Sequence, residues 1–117
     1  MDGTIYLSEQ LFDGTIDFLN YVKRIGGRDL FLTNNSSRGT DAYIAKMKRL
    51  GIEAFPEDFL TSADAAVDYF RQNPSEGNIY VCGTESLKGQ LRAAGLPVAA
   101  SADDRVSTVL LGYDTEL

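Results

Sequence analysis

A partial doubly wound α/β fold, Rossmann-like in having a parallel sheet with flanking helices, is what this 117-residue sequence predicts. Two observations predict it. Short apolar runs rich in β-branched and aromatic residues alternate with segments of helical period. Hydroxyl residues stand where the helical segments begin, and glycines stand where they end. Such alternation of strand and helix is the pattern of a parallel sheet covered by helices.

The elements follow in order. The chain opens with "MDGTIYL", in which Asp2-Gly3-Thr4 is a turn suited to leaving a buried strand and aiming a carboxylate at a site. The expectation is that the sheet's first strand lies upstream of Met1. Residues 15–25 place Phe18, Leu19, Val22 and Ile25 on one helical stripe, with Thr15 as cap and Gly26-Gly27 as the stop. "DLFLT" (29–33) reads as a buried strand. A second helix runs from Asp41 to Leu50, capped by Thr40, with Lys46, Lys48 and Arg49 near its C-terminal end and Gly51 beyond. "DFLTS" (58–62) is a short strand whose Ser62 caps a third helix carrying Ala66, Val67 and Phe70. "NIYVC" (78–82) is the next strand. Thr84 caps a helix with Leu87, Leu91 and Ala94, which Gly95 ends, and "STVLLGY" (107–113) is a last strand.

Composition narrows the chemistry. A net charge of -6 and a pI near 4.5 argue against a phosphate-backbone footprint, so a nucleic-acid polymer is not the expected partner. The single cysteine, Cys82, excludes an intramolecular disulfide and a cysteine cluster for zinc. With no histidine there is no His-based triad or His metal site. No run approaches the roughly 18 apolar residues of a membrane helix, and the N-terminus lacks signal-peptide features, so no membrane and a cytoplasmic location are expected. Carboxylates, amides, hydroxyls and Lys/Arg remain to carry function.

The stretch "FLTNNSSRGT" (31–40) lines up hydroxyls, side-chain amides and backbone N–H groups ahead of a helix, an arrangement that suits phosphate. Asn34, Asn35, Ser36 and Ser37 are also general turn formers, so a purely turn-building role is the other reading. Arg38 reads as a solvated helix-start arginine. Cys82 reads as a small buried hydrophobe. "GTESLKG" (83–89) lacks the phosphate-loop order of Gly-Lys-Ser/Thr and is assigned to strand exit and helix cap. A second Asp-Gly-Thr at 13–15 has Leu11 two positions earlier rather than an acid, and it enters a helix, so Asp13 is a loop acid.

Taken together, "DGTIYL", "GTIDFLNYVKRIGG", "DLFLTNNSSRGTDAYIAKMKRLGI", "DFLTSADAA", "IYVCGTESLKGQLRAAGL" and "STVLLGYDTEL" resemble, in order and spacing, the haloacid dehalogenase superfamily of phosphatases. The nearest branch is that of the nitrophenyl-phosphate and phosphoglycolate phosphatases, which carry a large cap domain. The resemblance implies that residues 1–117 are the N-terminal part of the hydrolase core, with the first strand and the cap absent. In this family the first motif is Asp-x-Asp-Gly-Thr, which places Asp2 at the second acid and the nucleophilic Asp one position before Met1. The implied reaction is phosphomonoester hydrolysis through an aspartyl-phosphate, in which Asp2 protonates the leaving oxygen and later activates water. The implied cofactor is Mg²⁺, ligated by the Asp2 main-chain carbonyl, with Gly3 permitting the sharp turn. Thr33 would hold phosphate oxygens, and Asn34 and Asn35 would complete the phosphate pocket and orient the first carboxylate.

Lacking the nucleophile, the later lysine, the later metal acids and the cap, the chain as written is expected to be inactive. A non-catalytic domain that keeps the pocket for phosphate binding, or only as scaffold, is the alternative. A receiver-like module is weaker, since its acidic pair and later lysine cannot be placed. The implied partner is a small phosphorylated metabolite, and a homodimer is open to the full-length protein because caps often form the dimer contact.

Overall fold

Alternating and helical hydrophobic periods settle into two compact units in the computed structural model, which describes residues 1–115. The first unit comprises Met1–Thr33 and Thr40–Leu60, and the second comprises Asn34–Gly39 and Thr61–Leu117.

The first unit begins with a hairpin. Strands β1 (Tyr6–Leu7) and β2 (Gln10–Leu11) pair antiparallel, with Tyr6 opposite Leu11 and Leu7 opposite Gln10. Helix α1 (Thr15–Arg24), strand β3 (Phe31–Thr33), helix α2 (Thr40–Arg49), a 3₁₀ turn (Pro56–Asp58) and strand β4 (Phe59–Thr61) follow. Strands β3 and β4 pair with each other. The core gathers Tyr6, Leu19, Phe31, Tyr43, Met47, Ile52, Ala54 and Phe59. The Phe59 ring lies 5.3 Å from that of Phe31 and 6.3 Å from that of Tyr43. Gly51 takes φ +83° after α2, so that Ile52 N–H can reach back to Met47 O at 2.8 Å and place Ile52 in this core. The 3₁₀ turn is tied at both ends. Asp58 Oδ2 accepts from Phe55 N–H at 2.9 Å, while Arg28 Nη2 donates to Glu57 O at 2.6 Å.

The second unit holds α3 (Ser62–Gln72), β5 (Asn78–Cys82), α4 (Glu85–Ala93) and β6 (Val106–Leu111). Strands β5 and β6 run parallel, with Tyr80 opposite Val109 and Cys82 opposite Leu111. Helices α3 and α4 contribute Ala63, Phe70, Leu87 and Leu91 to a core completed by Ile79 and Val81. Ile79 and Leu91 have no exposed surface. Burial of such side chains contributes roughly 1.5–3 kcal/mol each. In the first turn of α4, Lys88 Nζ donates to Glu85 Oε1 at 2.8 Å, which holds the Glu85 carboxyl below its ordinary value.

The fold class is as predicted, α/β with short parallel pairing and flanking helices, but local details differ. Thr15 does not cap α1. Gly14, left-handed at φ +83°, occupies the cap position, and Thr15 Oγ1 instead donates to Ile5 O at 3.1 Å. Thr61 rather than Ser62 caps α3. Its hydroxyl accepts from Asp64 N–H at 3.1 Å, and Asp64 Oδ2 accepts from Thr61 N–H at 2.9 Å, a reciprocal box for which Asp64 is the correctly spaced partner. Of the stripe on α1 only Leu19 is buried, whereas Phe18 and Ile25 are exposed. Cys82 is exposed, because in a period-two strand it points away from the face on which Ile79 and Val81 bury. The last strand ends at Leu111, leaving Gly112 and Tyr113 outside it. The hairpin of residues 6–11 was not expected.

Candidate active site

Asp2 sits in a tight turn of the first unit. Thr4 and Ile5 N–H groups both reach back to Met1 O, at 3.0 and 3.1 Å, and Gly3 N–H donates to Tyr6 O at 2.8 Å. Gly3 stands at φ +73°, a conformation costly for any residue with a Cβ, so the sharp turn expected there is observed. The Asp2 carboxylate is exposed, and its Oδ1 accepts from Ser8 N–H at 3.2 Å. Asp13 lies exposed in the turn before α1, consistent with a loop acid.

Thr33 is the last residue of β3 and is half-buried in the first unit. Asn34 and Asn35 begin the segment 34–39, which packs with the second unit. The two expected groups of site residues therefore fall in different units, joined through the Thr33–Asn34 peptide bond.

Within the second unit the segment is fastened to the carboxyl ends of β5 and β6. Thr84 Oγ1, just past β5, donates to Ser37 O at 3.2 Å. Tyr113 N–H, just past β6, donates to Ser36 Oγ at 2.9 Å. Asn35 Oδ1 accepts from both Ser37 N–H and Ser37 Oγ, at 2.9 and 2.6 Å, which closes a local turn. Asn34 is exposed, and its carbonyl accepts from Ser62 Oγ at 3.1 Å at the start of α3. Asn34, Ser36 and Ser62 line a cavity of about 180 Å³ together with Leu87, Gly112 and Tyr113. Carboxyl ends of parallel strands are where doubly wound folds place ligands. Asn34 thus opens on a cavity, while the side-chain oxygen of Asn35 serves the turn.

Ser62 and Tyr113 are cavity residues that the sequence did not single out for the site, whereas Ser36 lies in the stretch that it did. The hydroxyl of Ser62 reads in the sequence as a helix cap, a place that Thr61 takes. For Tyr113 the only signal was its place at the end of a strand pattern.

The donors suit magnesium only in part. Asp2 offers the hard oxygen that Mg²⁺ takes, from its carboxylate and its carbonyl. Among the described residues, however, no three acidic, cysteine or histidine side chains converge to hold a metal. No helix among the described residues is long and apolar enough to cross a membrane.

The acid on its glycine turn lies in the first unit, and the amide- and hydroxyl-rich segment at the strand carboxyl ends lies in the second, each on an α/β scaffold. Residues 1–97 match the sequence profile of the haloacid dehalogenase-like hydrolases, and the chain belongs to that family. It is 34% identical to the acid sugar phosphatase of Staphylococcus haemolyticus over 114 residues, covering 97% of this chain and 43% of that protein. Over 117 residues it is 32% identical to the acid sugar phosphatase of Staphylococcus aureus strain USA300, covering 100% of this chain and 44% of that protein. Among solved structures it superposes on the 4-nitrophenylphosphatase of Thermotoga maritima with a TM-score of 0.87 at 31% identity, covering 100% of this chain and 44% of that one. It also superposes on a glycerol phosphate phosphatase of Mycobacterium tuberculosis in complex with magnesium, with a TM-score of 0.86 at 32% identity, covering 99% of this chain and 35% of that one. The chain thus spans less than half the length of the relatives it matches.

Proposed function

We propose that this chain is the N-terminal part of the core of a Mg²⁺-dependent phosphomonoesterase that works through an aspartyl-phosphate on a small phosphorylated metabolite. The observation that carries the reading is the seating of segment 34–39 on the strand exits of β5 and β6, with Asn34 exposed beside a cavity. The phosphatases among its relatives support it.

In this reading Thr33 and Asn34 hold phosphate oxygens, and Asn35 shapes the loop that presents them. Asp2 gives a proton to the leaving oxygen and then takes one from water. The attacking carboxylate is the first acid of the family's Asp-x-Asp-Gly-Thr motif, of which Asp2 is the second. The Asp2 carbonyl would be the donor on this chain to a bound Mg²⁺, which would supply charge neutralisation at the phosphoryl group. Location in the cytoplasm, and dimerisation through a cap, belong to the same proposal.

One observation favours the non-catalytic alternative: the Asn35 amide oxygen is committed to Ser37, as turn-building alone would require. The two readings separate in a Mg²⁺-dependent assay against a panel of phosphate esters. It is run on the longest natural polypeptide containing this sequence and on its Asp2→Asn variant. Loss of general acid–base catalysis predicts a fall in rate of about 10²–10⁴-fold. Equal rates from the two proteins would remove Asp2 from the mechanism.

A further inference from the structure

We propose that Lys46, on α2, is a positioning residue for Asp2, acting through the β1–β2 hairpin. The inference rests on the reading of Asp2 as the acid–base group.

The hairpin holds Asp2 by two links. Ser8 N–H donates to Asp2 Oδ1 at 3.2 Å, and Tyr6 O accepts from Gly3 N–H at 2.8 Å. Ser8 stands in a left-handed backbone, φ +53°, at the tip of the hairpin. A non-glycine residue keeps that conformation when its surroundings over-determine it. Lys46 supplies the surroundings on both sides of Ser8. Its Nζ lies 4.0 Å from the centroid of the ring of Tyr6, a residue only 2% exposed, and 3.8 Å from Glu9 Oε1. Tyr6 lies on β1 and Glu9 in the turn beside Ser8, so one ammonium touches the strand before Ser8 and the residue after it.

The magnitude of exposure decides which cation matters. Arg49 also reaches Glu9 Oε1, at 3.3 Å, but both side chains are more than half exposed, and such pairs contribute little. The Lys46 side chain is 13% exposed and Tyr6 is buried, so its attraction to the ring is less screened by water.

Hydrogen exchange in the 117-residue chain, followed amide by amide by NMR, tests the clamp without any turnover. Lys46→Met keeps the aliphatic stem and removes the charge. It should speed exchange at Ser8 about tenfold or more while Ile52 N–H, bonded to Met47 O at the end of α2, stays within about twofold of the parent. Lys46→Arg, which keeps the cation, should leave Ser8 near the parent rate. Glu9→Gln, an exposed change that threatens no core, should give an intermediate increase and serves if Lys46→Met does not fold. Unchanged exchange at Ser8 in a folded Lys46→Met protein overturns the proposal. So does parallel acceleration at Ser8 and Ile52, which would mark a merely structural role. In the natural polypeptide Lys46→Met should lower kcat about tenfold with KM unchanged. Because Ser8 exchange is read apart from catalysis, failure of the clamp and failure of the role given to Asp2 are told apart.

Discussion

Gly112 has no room for a methyl group. A Cβ there would overlap Leu87 Cδ2 and lie 3.0 Å from Ser36 Oγ, the atom that accepts from Tyr113 N–H. Gly112→Ala should therefore cost roughly 1–3 kcal/mol, read as a lower urea midpoint at constant slope, because a packed interior resists an added carbon. An unchanged midpoint would mean that Leu87 swings aside freely. At this scale the sequence spoke unevenly. Asp2 and Gly3 are recognisable from three adjacent letters, since the turn that aims the acid is made of those residues. The role of Gly112 depends on Leu87 and Ser36, distant in sequence, and no local pattern announces it. Cys82 was misread for a related reason: the alternation of β5 was legible, but which face is covered was not.

Elements were legible where their signals are local. The glycine after α2, the threonine cap of α4 and the whole of β5 fall where the sequence puts them. The start of α3 shows the limit, since Thr61 and Ser62 are equivalent as cap residues until the position of Asp64 is weighed. Thr61→Ala removes an almost fully buried hydroxyl from the box and should destabilise by about 1–2 kcal/mol in chemical denaturation, while Thr61→Ser should stay near the parent. If Ser62 were the cap after all, Thr61→Ala would be nearly silent. The β1–β2 hairpin escaped notice because its strands have two residues each and its turn, Ser8-Glu9, contains neither glycine nor asparagine. It is held by Lys46 from α2, some forty residues away.

On the scale of the whole chain, the most telling feature is apolar surface left open on sheet faces. Val109 and Leu111 are exposed on one face of the β5–β6 pair, Leu111 at 77%, beside exposed Cys82. Contiguous apolar surface of this kind drives association. The 117-residue chain should therefore show concentration-dependent self-association by sedimentation and bind a hydrophobic dye, and Leu111→Lys should weaken both. A monomeric parent that binds no dye would count against this. A doubly wound sheet is covered on both faces, whereas here helices α3 and α4 cover one, and the chain spans less than half the length of its relatives.

What the sequence determined by itself is the α/β class, most of the element order, and the two stretches that carry its family, Asp2-Gly3-Thr4 and Phe31–Ser37. These depend on near-neighbour chemistry: hydrophobic period, capping and turn residues a few positions apart. Only the tertiary structure decided that the amide segment hangs from the exits of β5 and β6 and that Lys46 reaches the hairpin holding Asp2. Those outcomes are hydrogen bonds and charge contacts between residues far apart in the chain, and packing alone brings such residues within reach.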